Sequence, residues 1–337
     1  MKTNFIDKFF GPGLFRLFLA SIVFIHHLSS VNIGVSAVLV FFFLSGFWIS
    51  KMYKEKYSLK KHPKTTFYIS RILRIFPIFI LANIILFFLD HYLSLNYIDN
   101  LKLNWMPNYI IFGFNFLETQ NRLIVPVWSL ELELIYYLIF PFIFIIKDKI
   151  KIFILYSILI LISLYDIFVN TDKILLSYFI FFVGGNLAYK ISFKVKKKIA
   201  ILSILIFLFI IFISFFINNN FNPLIGGQDH SLFFKKYNLI FNFIIAFLLI
   251  PFAIITLKSK NNFNKDKFFG DMSYSVYLFH WITCICLDKY LINSLDLKER
   301  FFYTFVYVII TYLVCIIITK YYDYYFEKFR KHTIKKM

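Results

Sequence analysis

Ten predominantly apolar stretches of membrane-spanning length follow one another along this chain, at roughly 14–33, 34–50, 67–92, 123–146, 152–169, 174–190, 199–217, 238–257, 271–289 and 302–320. About 20 apolar residues are what a helix needs to cross the hydrocarbon layer, where the backbone must satisfy its own hydrogen bonds. A water-soluble surface is excluded by composition: only 16% of the 337 residues are charged and 60% are hydrophobic, whereas soluble domains carry about a quarter charged. The expected fold is therefore all-α and polytopic, with about ten transmembrane helices and the lipid bilayer as its surroundings.

The formal charge of +19, from 37 Lys and Arg against 18 Asp and Glu, raises nucleic acid as a partner. Its distribution argues otherwise. With the N-terminus inside, inner segments carry 26 Lys and Arg and outer segments 8; Arg16, Arg71 and Arg74, within the spans, complete the total of 37. Positive residues collect on the cytoplasmic side, so both termini are expected there and no nucleic acid is expected. The first apolar run contains Arg16, His26 and His27 and leads straight into the next, unlike a cleavable signal. No hydrophilic block is long enough for an appended soluble domain, which gives one transmembrane domain over 1–337. The outer connections are 93–122, with a short re-entrant or interfacial helix expected over 109–117, and 218–237, an irregular loop marked by Asn218–Asn220 and Gly226-Gly227. The tail from Lys320 alternates aromatic and basic residues and reads as an interfacial anchor. Cys284, Cys286 and Cys315 lie in apolar runs and read as core residues; no metal site is expected.

Each ionisable residue inside a span costs about 2.5–3.5 kcal/mol on insertion scales and calls for a reason. Arg16 and His27 are eleven residues apart, about 20° from full turns, so they share a helix face roughly 16 Å apart along the axis, with His26 pointing elsewhere. Arg71 and Arg74 lie one turn apart near the inner end of the third span. Arginines there can snorkel to headgroups. Three of them beside two helix N-termini instead suggest a polyphosphate site, because guanidinium forks and N-terminal amides both favour phosphate oxygens. In the fourth span Glu131 and Glu133 are about 200° apart and cannot share a cavity. Glu133 lies about 15 Å deep, whereas Glu131 is nearer the outer interface, where water or Arg122 can satisfy it. In the ninth span Ser273, Tyr277 and His280 share a face, His280 near mid-membrane. Glu133 and His280 each have a bland reading as helix-to-helix hydrogen bonders. The expected layering is Arg16, Arg71 and Arg74 on the inner side, then Glu133, His280 and His27 in the middle to outer part. It suits an anionic donor inside and an acceptor outside.

At these residues the chain resembles the membrane-bound acyltransferase-3 family, O-acyltransferases of bacterial surface glycans. Arg16 and His27 are similar to its Arg-x10-His element, and Arg71 and Arg74 to its Arg-x-x-Arg element. Phe41-Phe42-Phe43-Leu44-Ser45-Gly46-Phe47, closing the run from Gly34, is similar to its Phe-Phe-x-x-Ser-Gly-Phe pattern, and Trp128, Ser129, Leu130 and Glu133 to its Trp-Ser-Leu-x-x-Glu element. Ser273, Tyr274, Tyr277, Leu278 and His280 are similar to the late Ser-Tyr-x-x-Tyr-Leu-x-His element. The chain departs from the family at Glu133-Leu134, where many members carry two glutamates, and at Ser36, where Asp is common.

The resemblance implies acyl-CoA, most often acetyl-CoA, as donor and a sugar hydroxyl of O-antigen lipopolysaccharide, exopolysaccharide or a related envelope glycan as acceptor, in the bacterial inner membrane. Separate glycan-assembly partners are compatible with it. Arg16, Arg71 and Arg74 are then expected to bind the donor's phosphates. His27 is either general base or acyl carrier, and Glu133 and His280 orient it or hold the sugar. Tyr277, Ser273 and Trp128 are the expected substrate contacts. Two other classes fit the same spans: an exporter or flippase of a polysaccharide or lipid-linked sugar, and a scaffold for a glycan synthase.

Overall fold

The computed structural model describes residues 11–98, 105–117, 121–146, 149–169, 175–226, 232–258, 263–291 and 297–337. Gly227 of the second outer loop, the span-end residue Ile174, and Lys2, Lys8, Lys102, Lys147, Lys173 and Lys260 of the charge distribution lie outside them. The described residues form α1 (Pro12–Leu28), α2 (Gly34–Met52), α3 (Pro63–Tyr92), α4 (Trp105–Ile110), α5 (Trp128–Ile145), α6 (Lys149–Val169), α7 (Phe179–Lys190), α8 (Lys197–Ser214), α9 (Leu232–Lys258), α10 (Phe263–Leu291), α11 (Leu297–Ile317) and α12 (Tyr324–Lys336). Among these residues there is no strand, only an isolated bridge between Val31 and Ile225. The apolar stretches fall largely on ten of these helices. Among the described residues, six helical segments are long and apolar enough to cross a membrane: Gly34–Tyr57, Pro63–Tyr92, Val125–Ile145, Lys197–Ser214, Tyr237–Lys258 and Lys298–Lys336. Large side chains such as Leu205, Phe209 and Phe212 of α8 and Phe305, Ile309 and Leu313 of α11 are exposed, as lipid-facing residues are.

Many boundaries shift by several residues, α10 beginning at Phe263 and α9 at Leu232, ahead of the expected 271 and 238. The first stretch stops being helical at Leu28, because the Ser29 hydroxyl donates back to the Ile25 carbonyl at 2.7 Å and accepts from Val31 N at 3.2 Å. Asn32 N then donates to the Leu224 carbonyl at 2.7 Å. The expected helix over 109–117 is instead α4, a turn with positive φ at Ile111 and Gly113, and a 3-10 turn over Phe114–Phe116. In the tail, a π turn over Ile318–Asp323 carries α11 into α12, and α12 packs on α3.

The chain divides into two compact units, Met1–Leu59 with Leu138–Gly270, and Lys60–Tyr137 with Asp271–Met337. The first unit is centred on α2 and α7. A Cβ on Gly46 would meet the Phe182 carbonyl oxygen at 2.0 Å, and one on Gly185 the Phe43 carbonyl oxygen at 2.0 Å. Two bare backbones therefore touch, the small-residue packing that apolar helices use where lipid offers no hydrophobic drive. Asn186 donates to Ser50 Oγ at 2.7 Å beside this contact, and Phe42 stacks on Phe182. In the second unit α3 receives α12.

Gly46→Ala and Gly185→Ala are expected to cost ~3 kcal/mol each, since each methyl meets a carbonyl that cannot move alone. Gly184→Ala, whose Cβ meets only the movable Tyr156 hydroxyl at 2.8 Å, should cost less. Thermal unfolding of the detergent-solubilised protein ranks the three, and equal midpoints would refute the backbone contact.

Candidate functional site

In the first unit the sequence places Pro12 at the start of α1, and Gly13 lets α10 come close. The Asp266 carboxylate accepts from Gly13 N at 2.9 Å and from Leu14 N at 3.0 Å. This corrects the expectation that the α1 N-terminus is open to phosphate: an anion of the chain already binds those amides, as the helix dipole favours. Arg16 and His27 are both half-buried on α1. The helix is unbroken from Pro12 to Leu28, so the eleven-residue spacing keeps them on one face, about 16 Å apart along the axis. His27 sits in the last turn. His26 packs against α2, where a Cβ on Gly34 would come within 2.5 Å of its ring. The two imidazoles lie 4.6 Å apart, centre to centre.

Two residues that the sequence reading passed over fix the chain just beyond His27. Asn242 accepts from Ser36 N at 2.9 Å, tying down the first turn of α2, and donates to the Asn32 carbonyl at 3.0 Å. Asn238, one turn earlier on α9, donates to Asn32 O at 3.0 Å and to Pro223 O at 2.8 Å. Their signal was present, two asparagines at i, i+4 in an apolar helix.

In the second unit the two arginines of α3 have different surroundings. Arg74 pairs with Asp271 of α10 at 2.7 Å, with Asp323 at 3.6 Å and with Glu327 of α12 at 3.9 Å. Arg71 stands over the rings of Phe67 and Tyr137, 5.8 and 5.7 Å from their centres. The Tyr137 hydroxyl donates to Glu133 one turn earlier on α5. Arg71, Tyr137 and Glu133 thus form one connected group, cation on ring and ring hydroxyl on carboxylate.

Tyr277 donates to the Pro126 carbonyl at 2.8 Å and lies 2.7 Å from Ser129 Oγ. With its proton on Pro126, the phenol accepts from Ser129, which pins the 3-10 turn that presents half-buried Trp128 at the start of α5. Ser273 is buried on the same face of α10. His280 is fully buried, its Nδ1 3.1 Å from the Val276 carbonyl. A carbonyl only accepts, so Nδ1 carries the proton in this contact.

The model of the acyltransferase-3 family, described as an acyltransferase domain, matches residues 7–320. The chain belongs to the acyltransferase-3 family. Comparison with curated proteins and with solved structures gives no match. Family and long apolar helices together make this acyltransferase-3 protein a multi-pass membrane acyltransferase. Arg16, His27, Arg71, Arg74, Trp128, Glu133, Ser273, Tyr277 and His280 all fall inside the matched residues. Asp323 and Glu327, which meet Arg74, fall outside them.

Glu131 and Glu133 divide their work. Glu131 is only 4% exposed and accepts from Gly113 N at 2.5 Å, Asn115 N at 2.7 Å and Asn115 Nδ2 at 2.6 Å. Backbone amides and Asn115, rather than water, satisfy it, and it organises the loop before α5. Arg122 closes the same loop through the Leu117 carbonyl, and Tyr97 donates to the carbonyls of Arg122 and Leu123 while accepting from Trp281 Nε1. Burial pushes the Tyr97 phenol above its ordinary range, against the opposing hydrogen bond from Trp281, so it stays a donor at neutral pH. Glu131→Ala leaves the part-buried amides of Gly113 and Asn115 without their acceptor and should cost ~3 kcal/mol, whereas Tyr137→Phe removes its hydrogen bond to Glu133 and should cost ~1 kcal/mol. Thermal unfolding of both variants checks the order; the reverse order would make Glu133 the structural carboxylate.

Proposed function

We propose that this acyltransferase moves an acyl group, acetyl first among candidates, from cytoplasmic acyl-CoA to a hydroxyl of an extracytoplasmic cell-surface glycan. The setting is a bacterial inner membrane, crossed about ten times with both termini in the cytoplasm. Family membership over residues 7–320 is the observation that carries acyl transfer. The unbroken α1 supports the assignment of residues, since its Arg16-to-His27 reach of about 16 Å suits a pantetheine arm running from phosphates to thioester.

In this reading Arg16 and Arg71 hold donor phosphates by charge-assisted hydrogen bonds, and Arg74, already met by three carboxylates, holds α3 in place. His27 takes the proton from the acceptor hydroxyl as its oxygen attacks the thioester carbonyl. The tetrahedral intermediate expels the CoA thiolate, the ester remains on the sugar, and the proton passes from His27 to the thiolate. A covalent variant, with the acyl group resting on His27, balances equally. Glu133 and His280, with Trp128, Ser273 and Tyr277, serve the acceptor sugar.

His27→Ala should lower acyl transfer by roughly 10²–10⁴-fold, while His26→Ala acts through packing and retains most activity; equal activities of the two variants sink the assignment. Arg16→Ala and Arg71→Ala should each raise KM for acetyl-CoA about tenfold, and unchanged values would reduce these arginines to headgroup contacts. Fusions at both termini to a phosphatase active only outside the cytoplasm should be inactive; activity at either end contradicts the topology.

A further inference from the structure

From Tyr321 onward the chain lies beyond the residues that the family model matches, yet this segment grips α3 along one face. Arg330 donates through Nη1 to Ser70 Oγ at 3.1 Å. Glu327 and Asp323 meet Arg74, and the Tyr322 hydroxyl donates to the Pro77 carbonyl at 3.2 Å. Ser70, Arg74 and Pro77 follow i, i+4, i+7, so these contacts form one stripe on the helix. Arg330 also pairs with Glu327 at 2.7 Å, tying the two contacts of α12 to each other. Glu327 and Asp323 are 7% and 5% exposed, which is uncommon for carboxylates unless they are paired.

Arg71 stands immediately after Ser70 and one turn before Arg74, so the stripe brackets it. With the helix fixed at both positions, rotation about its axis is blocked and the Arg71 guanidinium stays over Phe67 and Tyr137. Asp271 contributes from α10, but it lies within the family match, whereas Asp323, Glu327 and Arg330 do not.

We propose that Glu327, supported by Asp323 and Arg330, is a positioning residue for donor binding: the tail is an ionic brace that sets the rotation of α3 and thereby aims Arg71 at the phosphates of the acyl donor. This rests on the reading of Arg71 as a phosphate contact given above. The brace acts on donor affinity rather than on the chemical step, because no tail residue is assigned to the reacting atoms.

The test uses full-length protein in lipid nanodiscs, with acetyl-CoA as donor and hydrogen exchange of α3 as a second readout. Glu327→Gln should raise KM for acetyl-CoA about tenfold with kcat within about twofold, and should speed amide exchange over 67–76 but not over 38–46. Arg330→Lys keeps the charge but loses the fork to Ser70 and Glu327, and should move both readouts the same way if Glu327→Gln fails to fold. Lys328→Gln, exposed on the same helix, should change neither. Unaltered KM and exchange in Glu327→Gln overturn the brace. Faster exchange with unaltered KM also overturns the proposal, because the tail would then hold the helix without serving the donor. If the wild-type protein itself shows no dependence on acetyl-CoA, the donor reading falls, and the exchange experiment still decides whether the brace exists.

Discussion

A guanidinium on an apolar helix persists only where anions come to meet it, and the second unit is arranged around that demand. Arg74 draws a carboxylate from α10, one from the π turn and one from α12. Removing the arginine would leave several buried like charges close together, and removing one acid would leave the cation under-compensated; breaking buried pairs of this kind typically costs about 3–5 kcal/mol. The network is weak as a source of net stability, since desolvation offsets much of its attraction. Its value is geometric. Elements distant in sequence must meet at one point, and that fixes the angular setting of α3.

The first unit reaches the same end without charge pairs at its centre. Bare backbone contact at Gly46 and Gly185 sets the distance between α2 and α7, and dispersion there needs atoms in contact because lipid gives no hydrophobic incentive to pack. At the far end of α1 the asparagines of α9 satisfy the carbonyls and amides freed where the helix stops after Leu28. A helix terminus leaves several such groups orphaned, and in an apolar setting each must find a partner. His27 owes its definite place to that requirement: the chain beyond it is anchored at Asn32 and Ser36.

Helices were legible in the sequence because an apolar run of spanning length has few alternatives. The Arg16–His27 register was legible too, since helical periodicity alone determines it. Hydrogen-bond partners were not. Glu131 reads as an interfacial carboxylate, because nothing in its own helix announces that Gly113 and Asn115 will fold a turn around it. The end of α1 was misjudged because Val31 and Ile33 keep the window apolar past Ser29, Ser30 and Asn32; the serine that turns the chain acts through a side-chain hydrogen bond that hydropathy does not register. Asp323 and Glu327 were submerged in a tail whose aromatic and basic residues dominate its composition. They stand at i, i+4 among tyrosines and a phenylalanine, with a lysine at either end, a pattern as compatible with a solvated face as with a buried one.

The Arg-x-x-Arg element shows how far identical letters can differ in physics. Arg71 and Arg74 are three residues apart on one helix, about 300° in rotation, so their side chains lie on neighbouring but distinct faces. One face meets aromatic rings, which attract a cation through their quadrupoles. The other meets carboxylates, which take the guanidinium edges of Arg74 in charge-assisted contacts. A guanidinium already committed to acids must give up strong charge-assisted contacts before it can take a phosphate, and the same acids repel the incoming anion. A phosphate at Arg74 would have to displace three acids, so in the proposed reading Arg74 is the anchor of α3 rather than one arm of a clamp.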